Sequence, residues 1–125
     1  MTNLEAVRFA EEWVENFNRK DAEAVLRHFA EEATFSSPRA LTFGGRADLR
    51  SREELAAYWR AALCAIGSLH FTLERVVNDD EAGVMVILYI AESDGGRVRA
   101  AEVYTFDKSS RIVHGEAMYG AIPES

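Results

Sequence analysis

Apolar residues recur three and four positions apart in the first half of the chain, which predicts amphipathic helices. The first helix is expected over residues 3–19. Its apolar face carries Leu4, Val7, Ala10, Trp13, Val14 and Phe17. Asp21 can cap a second, short helix with Phe29 on its apolar side. The capping-box sequence SREE, residues 51–54, predicts the start of a third helix, which Gly67 should end.

Beyond Gly67, apolar and polar residues alternate, which is typical of β strands. Four strands are expected, at residues 69–77, 84–92, 98–106 and 112–120. Residues 84–92 are apolar almost throughout, which predicts a strand covered on both faces. Residues 33–35, ATF, predict a short edge strand before a turn, and the pair Gly44-Gly45 predicts a loop. Helices followed by strands favour an α+β fold, in which three N-terminal helices pack on a curved, cone-shaped antiparallel sheet with a pocket inside.

Composition and charge narrow the function classes. The 125 residues suit a single domain, 1–125. The net charge of −7 disfavours nucleic acid and anionic membranes as partners, and no apolar run approaches the roughly 20 residues of a membrane helix. No secretory signal is visible, and a lone cysteine, Cys64, cannot form an intrachain disulfide. We therefore expect a cytoplasmic protein in which Cys64 is buried and inert.

Charged and metal-ligating residues give weak signals. His28, His70 and His114 are scattered without metal-ligand spacing, so no metal site is predicted. Four arginines lie around the Gly-Gly loop and the start of the third helix, namely Arg39, Arg46, Arg50 and Arg52. One of them could bind an anionic substrate at the mouth of a pocket, although a solvated surface is the default interpretation for each.

Two long stretches resemble a known family. WVENFNRKDAEAVLRHFAEEATFSSP, residues 13–38, is similar to the long helix, short helix and strand of the nuclear transport factor 2-like superfamily, especially its SnoaL-like and ketosteroid-isomerase-like branch. YTFDKSSRIVHGEAMYG, residues 104–120, resembles the closing hairpin of that family. The resemblance implies a cystatin-like fold, a hydrophobic pocket without cofactor, and a homodimer formed through the sheet. It does not imply one activity, because this fold serves many.

The ketosteroid isomerases in that branch use three groups, and this chain keeps only one of them. The carboxylate base corresponds to Ser37, which is not a base near neutral pH without an activating group. The oxyanion-binding tyrosine corresponds to Trp13, whose N–H donates a hydrogen bond but exchanges no proton. The protonated strand acid corresponds to Glu102. Isomerisation by that mechanism is therefore not expected.

Glu102 and Tyr89 are the predicted catalytic residues, Glu102 as the general acid or base and Tyr89 as a hydrogen-bond donor to a carbonyl or enolate oxygen. Ala100, Tyr104 and Phe106 share its strand face, and apolar neighbours raise the pKa of a carboxyl toward the range useful for general acid–base catalysis. An outward-facing Glu102 and a Tyr89 that merely packs in the core are the alternatives. The residues predicted to bind ligand are Trp13, Phe17, Phe35, Ser37, Tyr58, Tyr104 and Tyr119.

Together these features predict a pocket protein for a small hydrophobic molecule. As an enzyme it would be a cofactor-independent isomerase, cyclase or dehydratase acting on a carbonyl compound by general acid–base catalysis. The alternative is a non-catalytic ligand-binding or dimerisation module of the same fold. Hydrolysis of an epoxide is a third and weaker hypothesis, since it would require a pair of acids flanking an arginine, and the strands offer no such pair.

Overall fold

The computed structural model describes residues 1–123, without the side chains of residues 43 and 44. Its helices are α1 (Asn3–Asn18), α2 (Ala22–Leu26), α3 (Pro38–Gly44) and α4 (Arg52–Ala65). Its strands are β1 (Phe29–Ser36), β2 (Asp48–Leu49), β3 (Leu69–Asp79), β4 (Val84–Ser93), β5 (Gly96–Phe106) and β6 (Ile112–Tyr119). The strands form one curved sheet in the order β2-β1-β6-β5-β4-β3. The predicted α+β fold class is confirmed, and none of the described helices is long and apolar enough to cross a membrane.

Local signals in the sequence account for the two long helices. Thr2 and Glu5 form a capping box at the start of α1, which satisfies N–H groups that have no partner within the helix. At α4 the predicted box forms only in part. The Ser51 hydroxyl accepts from the Glu54 N–H at 3.1 Å, but the Glu54 carboxylate accepts from the N–H of Arg50 instead of that of Ser51.

The first strand is longer and more central than the sequence indicates. Phe29 begins β1 and is fully buried, so its placement on the second helix is wrong. The predicted edge strand is also wrong, because β1 lies between β2 and β6. It runs parallel to β6, whereas all other neighbouring strands are antiparallel. A long connection through six intervening elements makes this parallel pairing possible, and short-range patterns carry no information about it.

A short helix, α3, replaces the turn expected after β1. Ser37 is its N-cap, with the hydroxyl accepting from the Arg39 N–H at 3.2 Å, and Pro38 occupies the first turn, where its missing N–H is not needed. Gly45 ends the helix at φ 78°, a left-handed conformation that glycine adopts without steric cost. The residues at both ends of α3 therefore serve helix capping.

The core lies between the helices and the inner face of the sheet. Side chains of β4 alternate between buried ones, such as Ile87 and Tyr89, and half-buried ones, such as Val86 and Leu88. Within one chain, β4 is therefore covered fully on its inner face and only in part on its outer face. Cys64 is exposed, in contrast to the prediction, because it follows Leu63 on α4 and so points about 100° away from that buried position.

One side chain joins α1 to the outermost long strand. The amide of Asn18 donates to the Phe71 carbonyl at 3.0 Å and accepts from the Phe71 N–H at 2.6 Å. Both backbone groups of Phe71 are thereby satisfied from the side of β3 that has no neighbouring strand. This contact holds the Phe71 ring against the stacked ring of Trp13, 5.5 Å away between centroids.

Candidate functional site

Glu102 lies on the inner face of β5 and is only 5% exposed. Its register partner on β4 is Ile87, so Tyr89, two residues further along β4, is a diagonal neighbour on the same face. The Tyr89 hydroxyl donates to Glu102 Oε1 at 3.0 Å. The alternative in which Glu102 faces outward is therefore wrong, and the expected proximity of the two residues is confirmed.

The carboxyl of Glu102 is held in its neutral form by its surroundings. Burial raises its pKa to about 8, and hydrogen bonding from Tyr89, with a looser contribution from Tyr104, offsets only part of that effect. The second oxygen, Oε2, is buried without a hydrogen-bond partner among the described residues. A protonated carboxyl at this position has an O–H group with no protein acceptor, and a ligand oxygen could accept it.

Trp13 takes a structural role beside this acid. Its indole N–H donates to the Tyr104 hydroxyl at 2.9 Å, and both side chains are buried. Its ring lies edge-on to that of Tyr89, with centroids 5.0 Å apart. The indole N–H of Trp13, which corresponds to the isomerase tyrosine, is thus bonded to another side chain of the protein. This hydrogen bond fixes the Tyr104 ring in the core.

Glu102 opens onto an interior cavity of about 50 Å³. The predicted site residues that line this cavity are Trp13, Phe17, Phe35, Ser37, Tyr58, Tyr89, Glu102 and Tyr119. Tyr104 is the exception, since it is fully buried beneath the cavity wall. A water molecule needs about 10–15 Å³ of such space, whereas sites for drug-sized ligands span roughly 300–1,000 Å³. The cavity therefore holds only a few heavy atoms unless aromatic side chains move.

Ser37 forms a second polar point in the cavity wall. It is 2% exposed and lies near the hydroxyls of Tyr58 and Tyr119. Burial raises the pKa of both tyrosines, while hydrogen bonding to Ser37 and the positive charge of Arg39 act in the opposite direction. All of these hydroxyls stay protonated near neutral pH. They can donate to a bound oxygen, but they cannot serve as bases.

Sequence reasoning missed several lining residues. They include Trp59, Ile66, Leu69 and Phe71. The alternation of β3 does place Leu69 and Phe71 on one face, but the pattern cannot distinguish a core face from a cavity wall. Arg39 was one of four equivalent arginines in the sequence, and only the path of α3 brings it to the cavity.

The histidines do not converge on this site. His28 packs edge-on against Phe9, His70 is exposed, and His114 forms a 2.6 Å hydrogen bond with Thr34 on the outer side of the sheet. In the part of the chain that the structure describes, no cluster of His, Cys, Asp and Glu side chains could hold a metal ion. A larger groove of about 710 Å³ between α2, β1 and α4 is open and lined largely by charged side chains, and it shares no residue with the cavity.

A cone of helices and curved sheet, closed around a buried acid and an aromatic wall, is typical of the small cystatin-like folds. The SnoaL-like domain family matches residues 10–115, and the chain belongs to this family within the nuclear transport factor 2-like superfamily. A search of curated protein sequences finds no match.

Solved structures agree with this assignment. A SnoaL-like protein of unknown function from Burkholderia thailandensis E264 is 32% identical, with a TM-score of 0.85 over 96% of this chain and 98% of that one. An NTF2-like protein of unknown function from Burkholderia pseudomallei K96243 is 20% identical, with a TM-score of 0.77 over 96% and 92%. The epoxide hydrolase/cyclase-like enzyme SalBIII, which has a role in pyran ring formation in the polyether salinomycin, is 17% identical, with a TM-score of 0.71 over 94% and 92%. The last two show the shared fold alone.

Proposed function

We propose that this protein binds a small, largely apolar carbonyl compound in the cavity and promotes proton transfer on it without a cofactor. The observation that carries the proposal is the buried Glu102 carboxyl with its unpartnered Oε2. With a pKa of about 8, this group is protonated near neutral pH and can donate to the carbonyl oxygen. A hydrogen bond at that oxygen stabilises the negative charge that develops when a neighbouring C–H bond breaks.

Tyr89 acts here as a positioning residue. Its hydroxyl already donates to Oε1 of Glu102, which leaves Oε2 as the oxygen that carries the proton. In this pair the Tyr89 hydroxyl orients the carboxyl, and the Glu102 carboxyl contacts the substrate. Tyr58 and Tyr119 lie further along the cavity wall and supply additional donors for a second ligand oxygen.

A specific feature favours the second candidate function, which is binding without catalysis. Glu102 is the only carboxylic acid among the residues that line the cavity in the described chain, and Ser37 is engaged as a helix cap. A single acid has no separate base to remove the C–H proton, so one group must both donate and accept or water must assist. The same absence of a second acid disfavours epoxide hydrolysis, even though a SalBIII-like fold can support such chemistry.

Deuterium exchange tests catalysis without knowledge of the natural substrate. Butan-2-one or hexane-2,5-dione is incubated with the protein in D₂O, and loss of the α-proton signal is followed by NMR. We expect exchange faster than in buffer, and loss of this acceleration in Glu102→Gln, since general acid–base groups contribute about 10²- to 10⁴-fold. The control variant is Glu81→Gln, which makes the same substitution in an exposed turn.

Binding is measured in the same samples from the fluorescence of the two tryptophans, both of which line the cavity. Binding of a ketone together with accelerated deuterium exchange supports the proposed catalysis. Binding of the ketones with exchange no faster than in buffer would leave the non-catalytic module as the correct function. No binding of either ketone would refute the carbonyl proposal altogether.

We also propose that the outer face of the sheet pairs with a second copy of the chain. The register aligns Leu88 of β4 with Ala101 and Met118 across three strands, and Val77, Val86 and Val103 form the adjacent row. Met118 is 48% exposed and Val77 is 47% exposed. A contiguous apolar face of this kind is typical of an interface, and a homodimer through it would explain why β4 is apolar on both sides.

A further inference from the structure

The four arginines near α3 and α4 differ in what their side chains contact. Arg46 forms an ion pair with Glu54. Arg52 donates to the Phe29 carbonyl at 3.2 Å and lies 3.8 Å from the carboxylate of Glu31. Arg50 is exposed and does not line the cavity. The fold therefore separates residues that are equivalent in the sequence, and only Arg39 reaches the cavity wall.

Arg39 is half-buried and stacks on an aromatic ring. Its guanidinium carbon lies 4.5 Å from the centre of the Tyr119 ring, within the range of a cation–π contact. Among the described residues it forms no ion pair with a carboxylate. Stacking holds the plane of the guanidinium but leaves its N–H groups free to donate. This is notable in a chain with 21 acidic and 14 basic residues.

Arg39 and Glu102 act on the same two tyrosines from within one cavity. The charges of both residues influence the pKa of Tyr58 and the pKa of Tyr119, for which burial is the main cause of the upward shift. The two hydroxyls thus lie close to a cation and to an acid. The cavity has one cationic region and one neutral acid region, with tyrosine hydroxyls near both.

We propose that the natural ligand is a short oxo acid, a carbonyl compound that also carries a carboxylate, with its carboxylate on Arg39 and its carbonyl oxygen on Glu102. This inference rests on the proposed function and adds the charge of the substrate to it. Guanidinium groups bind carboxylates through two parallel hydrogen bonds, a geometry that gives both affinity and orientation. The neutral form of Glu102 allows an anion to enter a cavity that an ionised carboxylate would repel.

The size of the cavity agrees with a short chain. About 50 Å³ is room for a few heavy atoms beyond those that contact Arg39 at the wall. Apolar side chains such as Phe35, Phe71 and Leu63 make up the rest of the lining, which suits an aliphatic segment between the two oxygen-bearing ends.

A matched pair of probes tests the charge of the ligand. 4-Oxopentanoate and hexane-2,5-dione share a ketone and have similar shape, but the carboxylate of the first is an acetyl group in the second. Dissociation constants are measured by tryptophan fluorescence and calorimetry for the wild type, Arg39→Gln and Arg39→Lys. The control is Arg50→Gln, which removes the same charge outside the cavity.

We expect the wild type to bind 4-oxopentanoate about 10- to 100-fold more tightly than the dione, the range of a charge-assisted hydrogen bond. Arg39→Gln should remove this preference by weakening the binding of 4-oxopentanoate much more than that of the dione. Arg39→Lys should keep part of it, because lysine retains the charge but not the planar fork. Arg50→Gln should behave as the wild type, and high salt should weaken only the oxo acid.

Four results would overturn the inference. Equal affinity of the wild type for both probes would show that the carboxylate is not recognised. An equal loss of both affinities in Arg39→Gln would mean that the residue only supports the structure. If the dione binds but 4-oxopentanoate does not, the cavity excludes anions and the inference alone fails. If neither probe binds the wild type, the proposed carbonyl function fails and the inference fails with it.

Discussion

Replacing Glu102 by glutamine should change how the stability of the protein depends on pH. In the folded chain burial raises the Glu102 pKa from 4.5 to about 8, whereas the unfolded chain exposes an ordinary carboxyl. Between these two pKa values the folded state holds a proton that the unfolded state has lost. Stability therefore falls as pH rises through this window, and it is fully present only below the unfolded value. Glutamine stays neutral throughout, keeps a similar shape, and can still accept from Tyr89.

The size of this effect follows from the two pKa values. Each unit of difference corresponds to about 1.4 kcal/mol, so complete ionisation of Glu102 costs about 5 kcal/mol in the folded protein. This is an upper bound, because water can enter and the structure can relax around the charge. It is still comparable to the whole stability of many domains, which is about 5–15 kcal/mol.

Urea denaturation of the wild type and Glu102→Gln, between about pH 5 and 9, measures the effect. The two proteins should be similarly stable at the acidic end, and the variant should be more stable by several kcal/mol at the alkaline end. The difference between them isolates Glu102 from His28, whose pKa is lowered by burial and which affects both proteins alike. Glu81→Gln should follow the wild-type profile. Parallel profiles for the wild type and Glu102→Gln would refute the buried, neutral carboxyl.

Two further predictions concern the packing of the sheet. A Cβ at position 115 would lie 2.8 Å from Tyr104 Cε1 and 2.9 Å from Phe35 Cδ1. Gly115→Ala should therefore lower the free energy of unfolding by about 1–3 kcal/mol in urea titrations. An unchanged free energy would mean that the two rings move freely. Leu88→Asp should convert the proposed dimer to a monomer in analytical ultracentrifugation, whereas Leu4→Asp, at an exposed residue of α1, should not. A wild type that sediments as a monomer would contradict the interface.

Local patterns predicted most of the fold, because the signals for its main elements lie within a few residues of each element. The helical spacing in α1 and α4, the alternation in β3, β5 and β6 and the apolar run of β4 predict the α+β architecture. The parallel pairing of β1 with β6 was not predictable in this way, since it joins residues about 80 positions apart. The Ser37-Pro38 start of α3 was present in the sequence, but a cap followed by proline was interpreted only as a turn. The extent of the domain and the cytoplasmic location stay predictions.

The site was predictable as a set of residues but not as a geometry. The alternation of β5 placed Glu102 with Ala100 and Tyr104, and hairpin pairing placed Tyr89 near it. The helices determine which face of β5 points inward, and the alternation of a strand does not predict where the helices pack. The small volume of the cavity and the separation of Arg39 from the other arginines arise from side-chain packing between distant segments. The roles assigned to these residues stay predictions until they are measured.

The two hydrogen bonds between Asn18 and Phe71 have a consequence for how the chain behaves among its own copies. A long outermost strand offers unpaired N–H and C=O groups, which another extended chain can use as a template for aggregation. The amide of Asn18 has one donor and one acceptor in the arrangement of a neighbouring peptide group, and it occupies the position that an incoming strand would need. α1 thus blocks the open edge of β3 at Phe71, so that another copy of the chain cannot pair with β3 at this position.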